Sequence, residues 1–238
     1  MGKNRVRDNF NCTKGAMRSE SSQKFGVCSS ELLLTTCYLL LTVFSGCAGH
    51  KIIIIKDPLK AEEHIKLAQV YETKGEMELA VEEYKKALEE DKTNSMAYFG
   101  LGSISFKKGK YGDAEDYYKK AIENAPADEP RNAMFYNNLS CVYIEANKDL
   151  KEAERLVQRA LLLDAERAGI YQDTLGVIYT KLKEYEKADE AFLSALQNAH
   201  EDAIALRYIY QHLSELYRLQ GNKDRFHETV ERLKGLGK

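Results

Sequence analysis

Four alanines, Ala80, Ala114, Ala153 and Ala188, stand 34, 39 and 35 residues apart. Each is followed seven residues later by another: Ala87, Ala121, Ala160 and Ala195. Seven residues make about two helical turns, so each pair lies on one face of a helix. Between the two alanines sits a bulky residue: Tyr84, Tyr118, Val157 or Phe192. Upstream runs a leucine next to a small residue: Leu67-Ala68, Leu101-Gly102, Leu139-Ser140 and Leu175-Gly176. Three residues beyond each of these pairs stand Tyr71, Ser105, Tyr143 and Tyr179. A period of this length, marked by small residues, is the signature of a repeat array whose units bury their apolar faces on one another.

Within each unit the first helix is termed A and the second B. Three prolines, no tryptophan and the near absence of alternating apolar residues fit an all-helical chain. Gly75 and Gly109 fall between A and B, where a left-handed residue ends a helix. Asn147 can take that role in the third unit, whereas Lys183 departs from it in the fourth. Pro126 follows the second B helix. The long spacing in the third unit comes from "DEPRN", residues 128–132, before its A helix, and from one extra residue in its turn. Asp57 and Pro58 read as the N-cap and first residue of the first helix. In a fifth unit Leu213-Ser214, Tyr217 and Gly221 fit, but Phe226 replaces the alanine; a terminal unit lacks a following neighbour, so this one reads as a cap.

These residues resemble the tetratricopeptide repeat, a helix–turn–helix unit of about 34 residues. The resemblance covers residues 59–235. It implies an all-α fold: a right-handed superhelix of antiparallel helix pairs, with four repeats and a degenerate C-terminal capping pair. The small residues then let A and B approach closely, and the large ones fill the space between neighbouring repeats. Ser105 stands where the family has tyrosine, so that junction is expected to pack less fully. The family's first aromatic appears as Tyr98 and Tyr136, but as His64 and Gln172 elsewhere.

The resemblance also implies a concave groove lined by A helices. Its positions fall on Met96, Phe99, Ser103, Phe106 and Lys107 in the second repeat, and on Met134, Asn137, Cys141, Ile144 and Glu145 in the third. In the fourth they fall on Ile170, Asp173, Val177, Thr180 and Lys181, and Asn138 lies beside the row. Ile65 and Gln69 replace the basic and asparagine residues with which a chaperone-binding subfamily grips a free carboxylate, so an extended or helical segment with apolar anchors suits this groove better. Phe99 and Phe106 are the expected anchors, since aromatic residues dominate interfaces.

The N-terminal segment is different. Residues 1–30 are polar and include Lys3, Arg5, Arg7, Lys14, Arg18 and Lys24; Leu32 to Phe44 form an apolar run of 13 residues. A basic stretch, a short apolar run and small residues make a secretory signal peptide. The run is shorter than the roughly 20 residues of a membrane span. Counted through Gly49 it holds 18 uncharged residues, so a signal anchor stays open as a second reading. "FSGC", residues 44–47, resembles the lipobox of bacterial lipoproteins. That implies a signal peptide at 1–46, acylation of Cys47, a tether at 47–58 and the repeat domain at 59–238. Two or three acyl chains, at about 0.8 kcal/mol per buried CH₂, hold a protein on a bilayer where one does not. Ala48, a non-aspartate after the cysteine, points to the outer membrane facing the periplasm. Ile52–Ile55 suit either packing on the first helix or the lipid interface, and Met1 and Met17 both stand as start codons.

A net charge of −2 and a pI near 6.3 give no basic stripe for nucleic acid. The five cysteines and five histidines show no zinc spacing, no HExxH and no disulfide framework, and no nucleophile motif is present. Cys141 reads as a small buried hydrophobe and His64 as a core histidine. The Asn138-Leu139-Ser140 sequon is set aside because it falls on packing residues. The expectation is a scaffold without catalytic residue, metal, cofactor or small-molecule substrate, binding other cell-envelope proteins. The alternatives are an accessory factor in polysaccharide export or peptide processing, and a non-lipidated membrane-anchored adaptor.

Overall fold

The computed structural model describes Asp57, residues 59–199 and residues 202–236. Cys47, Ile52–Ile55 and the expected signal peptide lie outside the described residues. Among the described residues ten helices follow one another: α1 (Ala61–Lys74), α2 (Met77–Glu90), α3 (Ser95–Lys107), α4 (Tyr111–Glu123), α5 (Asn132–Glu145), α6 (Leu150–Leu163), α7 (Ala168–Leu182), α8 (Tyr185–Asn198), α9 (Ala203–Gln220) and α10 (Lys223–Gly235). A 3₁₀ turn, Ala165–Arg167, precedes α7, and there is no strand among the described residues. Each odd-numbered helix packs against the next even one as an A–B pair, and each pair packs on the following pair.

Local chemistry sets the boundaries. Asn94, Asp149, Asp202 and Asn222 each accept a backbone N–H from the first turn of the helix they precede. The first helix corrects the expectation at Asp57: it starts at Ala61, with Lys60 as N-cap. The Glu63 carboxylate reaches back to the Lys60 N–H at 2.8 Å and so fixes the start three residues later than the proline suggests. In the A–B turns Gly75, Gly109 and Gly221 have φ of +81°, +72° and +69°. Asn147 follows at +48°, and Lys183 is at +62°. The Lys183 side chain departs from the pattern while its backbone keeps it; the Glu184 N–H still closes the turn on the Tyr179 carbonyl at 2.9 Å. The long spacing of 39 residues in the third unit is also accounted for. Residues 124–131 join α4 to α5, where 91–94 suffice between α2 and α3. Residues 146–149 join α5 to α6, where 75–76 suffice between α1 and α2.

All eight marker alanines are 0% exposed. They let the helix backbones approach, and the residue opposite must be equally small. A Cβ built on Gly102 would stand 2.7 Å from the Tyr118 ring, and one on Gly176 would overlap the Phe192 ring. Leucine and glycine therefore alternate on the A helix because aromatic rings of the B helix occupy the glycine's place.

A second device joins the repeats. The residue after each of three marker alanines is an acid, Glu115, Glu154 or Asp189, and each accepts a hydrogen bond from a tyrosine of the next A helix: Tyr143 at 3.1 Å, Tyr179 at 2.9 Å, and Tyr217. A cation stands over each ring: Lys148 at 5.4 Å, Lys187 at 5.5 Å and Arg225 at 5.4 Å from the centroid. Lys148 and Arg225 also pair with the acid, at 2.7 and 2.6 Å. Burial, which alone would raise the Glu115 pKa, is outweighed by hydrogen bonds from Lys119, Lys148 and Tyr143, which bring it to about 2. Burial, then the neighbouring carboxylate, pushes Tyr179 and Tyr217 up to about 12, so both remain donors at neutral pH. At the first junction Val81 and Ser105 occupy these two places, and valine cannot accept a hydrogen bond. That junction is held instead by Glu72, which pairs with Lys107 at 2.9 Å and accepts from the Tyr84 hydroxyl at 2.7 Å.

The two ends differ from the middle. Ala97, Ile104, Phe135, Val142, Tyr171, Ile178, Ile209 and Leu216 are buried against a preceding pair. The same positions of α1 are Glu63 and Val70, both exposed. The outer face of α1 is therefore polar but for Val70. At the other end Phe226 is only half-buried, and a pocket of about 320 Å³ opens between α8, α9 and α10.

Candidate functional site

The face shared by the A helices is the candidate site. Gln69 and Glu72 of α1 and Met96, Phe99, Gly100 and Ser103 of α3 line one small cleft of about 20 Å³, with Tyr84 behind them. These are groove positions of the first two repeats, so the register read from the sequence places neighbouring A helices edge to edge. The exposure of the individual side chains corrects the expectation about anchors. Phe99 is 7% exposed and Phe106 is 8% exposed. The Phe99 ring packs on Phe135 at 5.0 Å and on Tyr118 at 5.6 Å, and Phe106 packs on Tyr111 at 5.7 Å. Both rings are part of the core, because an A helix in mid-array meets its own B helix and both neighbouring repeats at once. Met96, Met134, Ile170, Val177 and Thr180 remain half-exposed and Lys107 and Lys181 exposed.

The polar residues of this face are mostly used within it. Ser103 Oγ donates to the Phe99 carbonyl at 2.9 Å and accepts from the Tyr118 hydroxyl at 3.3 Å. Asn138 Nδ2 donates to the Met134 carbonyl at 2.9 Å. Asn137 is buried, and its Oδ1 has no hydrogen-bond partner. Ile144 is buried; Glu145 is half-buried, and burial raises its pKa against the opposing charge of Lys181. Cys141 is 2% exposed in the core between the repeats, the small buried side chain that the sequence implies.

One pair was not anticipated. Asp173 Oδ1 lies 2.8 Å from His212 Nδ1, joining α7 to α9, and the His212 ring packs on Phe192 at 5.8 Å. The two residues are 39 apart, and the sequence signal is a histidine at the A-helix position where Thr174 stands one repeat earlier. Its other ring nitrogen is buried without a partner, so the pair is built as a joint and not as a base presented to a substrate. His64 is a core histidine held by Glu83 at 2.6 Å, as its packing position implies. Among the described residues no group of three or more His, Cys, Asp or Glu side chains is arranged to hold a metal ion.

Residues 65–129 and 171–199 match family models described as tetratricopeptide repeat. The fold is a tetratricopeptide-repeat solenoid. The type IV pilus assembly protein PilF of Pseudomonas aeruginosa is 28% identical over 152 residues, 63% of this chain and 58% of that protein. The TPR repeat-containing protein MJ1428 of Methanocaldococcus jannaschii is 28% identical over 138 residues, 56% of this chain and 24% of that protein. The chain thus spans well under two thirds of either relative. Among solved structures, Pseudomonas aeruginosa pilF superposes with a TM-score of 0.60 at 24% identity, covering 76% of this chain and 78% of that one. PilW, described as a widely conserved type IV pilus biogenesis factor, superposes with a TM-score of 0.66 at 16% identity, covering 74% and 78%. At these identities the superpositions establish the solenoid fold.

Proposed function

We propose that the chain is a non-catalytic scaffold of the bacterial cell envelope that gathers other envelope proteins on its A-helix face. The observation that carries this reading is the exposure pattern of α3, α5 and α7. α3 and α5 are buried along most of their length and α7 along about half, yet each keeps apolar side chains half-exposed on the groove side: Met96, Met134, and Ile170 with Val177. Apolar surface left open at matching register on neighbouring helices is what a partner segment needs. A role in assembling a pilus or secretion machine is favoured by the pilus relatives; insertion of outer-membrane proteins and support of cell-wall enzymes are related roles for the same face. Attachment to the outer membrane through a diacylated Cys47 is favoured by "FSGC" and by the short apolar run before it.

The test is a pull-down from envelope extracts. A partner recovered with the wild-type chain is expected to be lost with Met96→Arg/Met134→Arg and kept with Leu162→Arg, since Leu162 is 80% exposed on the B helix α6. Equal recovery with both variants removes the groove from the account. Mass spectrometry of the mature N-terminus checks the anchor: a cysteine-terminated, acylated fragment is expected, and an uncleaved N-terminus would replace the lipid with a signal anchor.

A further inference from the structure

The A-helix face borders an edge of the solenoid made by the four B-to-A connections. The described residues of 87–94, 120–131, 160–167 and 195–202, which take in each connection and the helical turn before it, hold nine Asp or Glu and four Lys or Arg. The opposite edge is balanced. Its five A-to-B turns, residues 71–78, 105–112, 143–150, 179–186 and 217–224, hold eight acids and nine cations. Helix electrostatics account for Asp164 and Asp202, which cap the turn and the helix that follow them, but not for the rest of the difference. Glu89, Glu90 and Glu123 stand at B-helix C-termini, where the macrodipole favours cations.

The apolar side chains nearest this edge are Met96, Met134 and Ile170, each in the first turn of its A helix. All three are half-exposed and hold one register position in successive repeats, so they form a stripe beside the acidic edge. On the floor next to the stripe lies Asp173, its side chain 9% exposed and only Oδ1 engaged by His212. A segment laid along the stripe therefore meets apolar surface on one side and an edge of net negative charge on the other, even with Asp164 paired to Arg167 and Glu129 to Arg131.

We infer that the occupant of this face is a polypeptide segment in which apolar residues alternate or cluster with Lys and Arg. This rests on the scaffold reading above and adds the chemistry of the partner to it. Basic residues lower the charge of an edge that otherwise repels itself, and they steer the encounter. An acidic segment, or a free C-terminal carboxylate, would add like charge to that edge.

The experiment uses the full chain labelled with ¹³C-methyl methionine, whose five methionines include Met96, Met134 and, as an internal control on a B helix away from the face, Met77. The probes are two synthetic peptides of equal length, one alternating leucine with lysine and one alternating leucine with glutamate. The lysine peptide is expected to shift the Met96 and Met134 signals saturably and leave Met77 in place. The glutamate peptide is expected to bind at least about tenfold more weakly, and the difference to shrink at high salt. Equal or stronger shifts with the glutamate peptide overturn the charge assignment and leave the groove reading standing. No shift at Met96 or Met134 with either peptide overturns both. Equal movement of Met77 would mean non-specific attraction and overturn the proposal, and shifts that follow protein concentration without peptide would give the face to a second copy of the chain.

Discussion

Ala114→Leu is expected to destabilise the chain by about 3 kcal/mol or more. Ala114 is 0% exposed on α4 and sits where that helix meets α3. Leucine brings three more heavy atoms into a contact whose other side is already filled, and cores answer such insertions with strain of about 1–3 kcal/mol, more where the backbone must separate. Here it must, because α3 has already given up a side chain at Gly102 to admit the Tyr118 ring. At about 2–4 °C per kcal/mol for a domain of this size, the melting temperature should fall by about 6–12 °C. Thermal unfolding followed by helical circular dichroism is the measurement, with Leu162→Ala as the control. Leu162 lies on the same kind of helix but 80% exposed, and its truncation should cost about 0.5 kcal/mol or less. An unchanged melt for Ala114→Leu would mean that the helix pairs are set in a different register.

Phe99→Ala should cost more still, about 3–5 kcal/mol, the usual range for deleting a buried aromatic ring. The ring bridges its own repeat, through Tyr118, and the next, through Phe135. Its loss removes packing at two interfaces in an array whose cooperativity runs through neighbour contacts. Met96→Ala, three residues earlier but half-exposed, should cost less than half as much. Chemical denaturation of the two variants side by side separates the cases. Comparable small losses would place Phe99 on the open surface and restore it as an anchor; the expected large loss means that a binding defect in Phe99→Ala reports unfolding.

The solenoid was legible because its determinants are local and repeated. Small residues at fixed spacing can mean only close helix contacts, and the glycines of the A–B turns, with Asn147, mark reversals that favour left-handed backbone. Lys183 shows where this fails: tertiary packing holds a lysine in the conformation that the neighbouring units give to glycine. Asp57-Pro58 is a good local signal for the start of α1, yet Glu63, by closing on the Lys60 N–H, moves the N-cap three residues on. The groove residues were found by register, but register does not give depth. Whether Phe99 faces a partner or Phe135 depends on how close the next repeat stands, and that distance is set by side chains about 35 residues away. The tyrosine–acid clasps and the Asp173–His212 joint span 25 to 39 residues, so no single unit displays them. They become visible in the sequence only when the residue after each marker alanine is read against the tyrosine of the following A helix.

The central claim is that the A-helix face, and not the B-helix face, meets the partner. Its most direct test places a photo-crosslinking amino acid at Met134 in one strain and at Leu162 in another, and irradiates intact cells. The account predicts a defined polypeptide adduct from position 134 and none from position 162. An adduct from position 162 with none from 134 would contradict it.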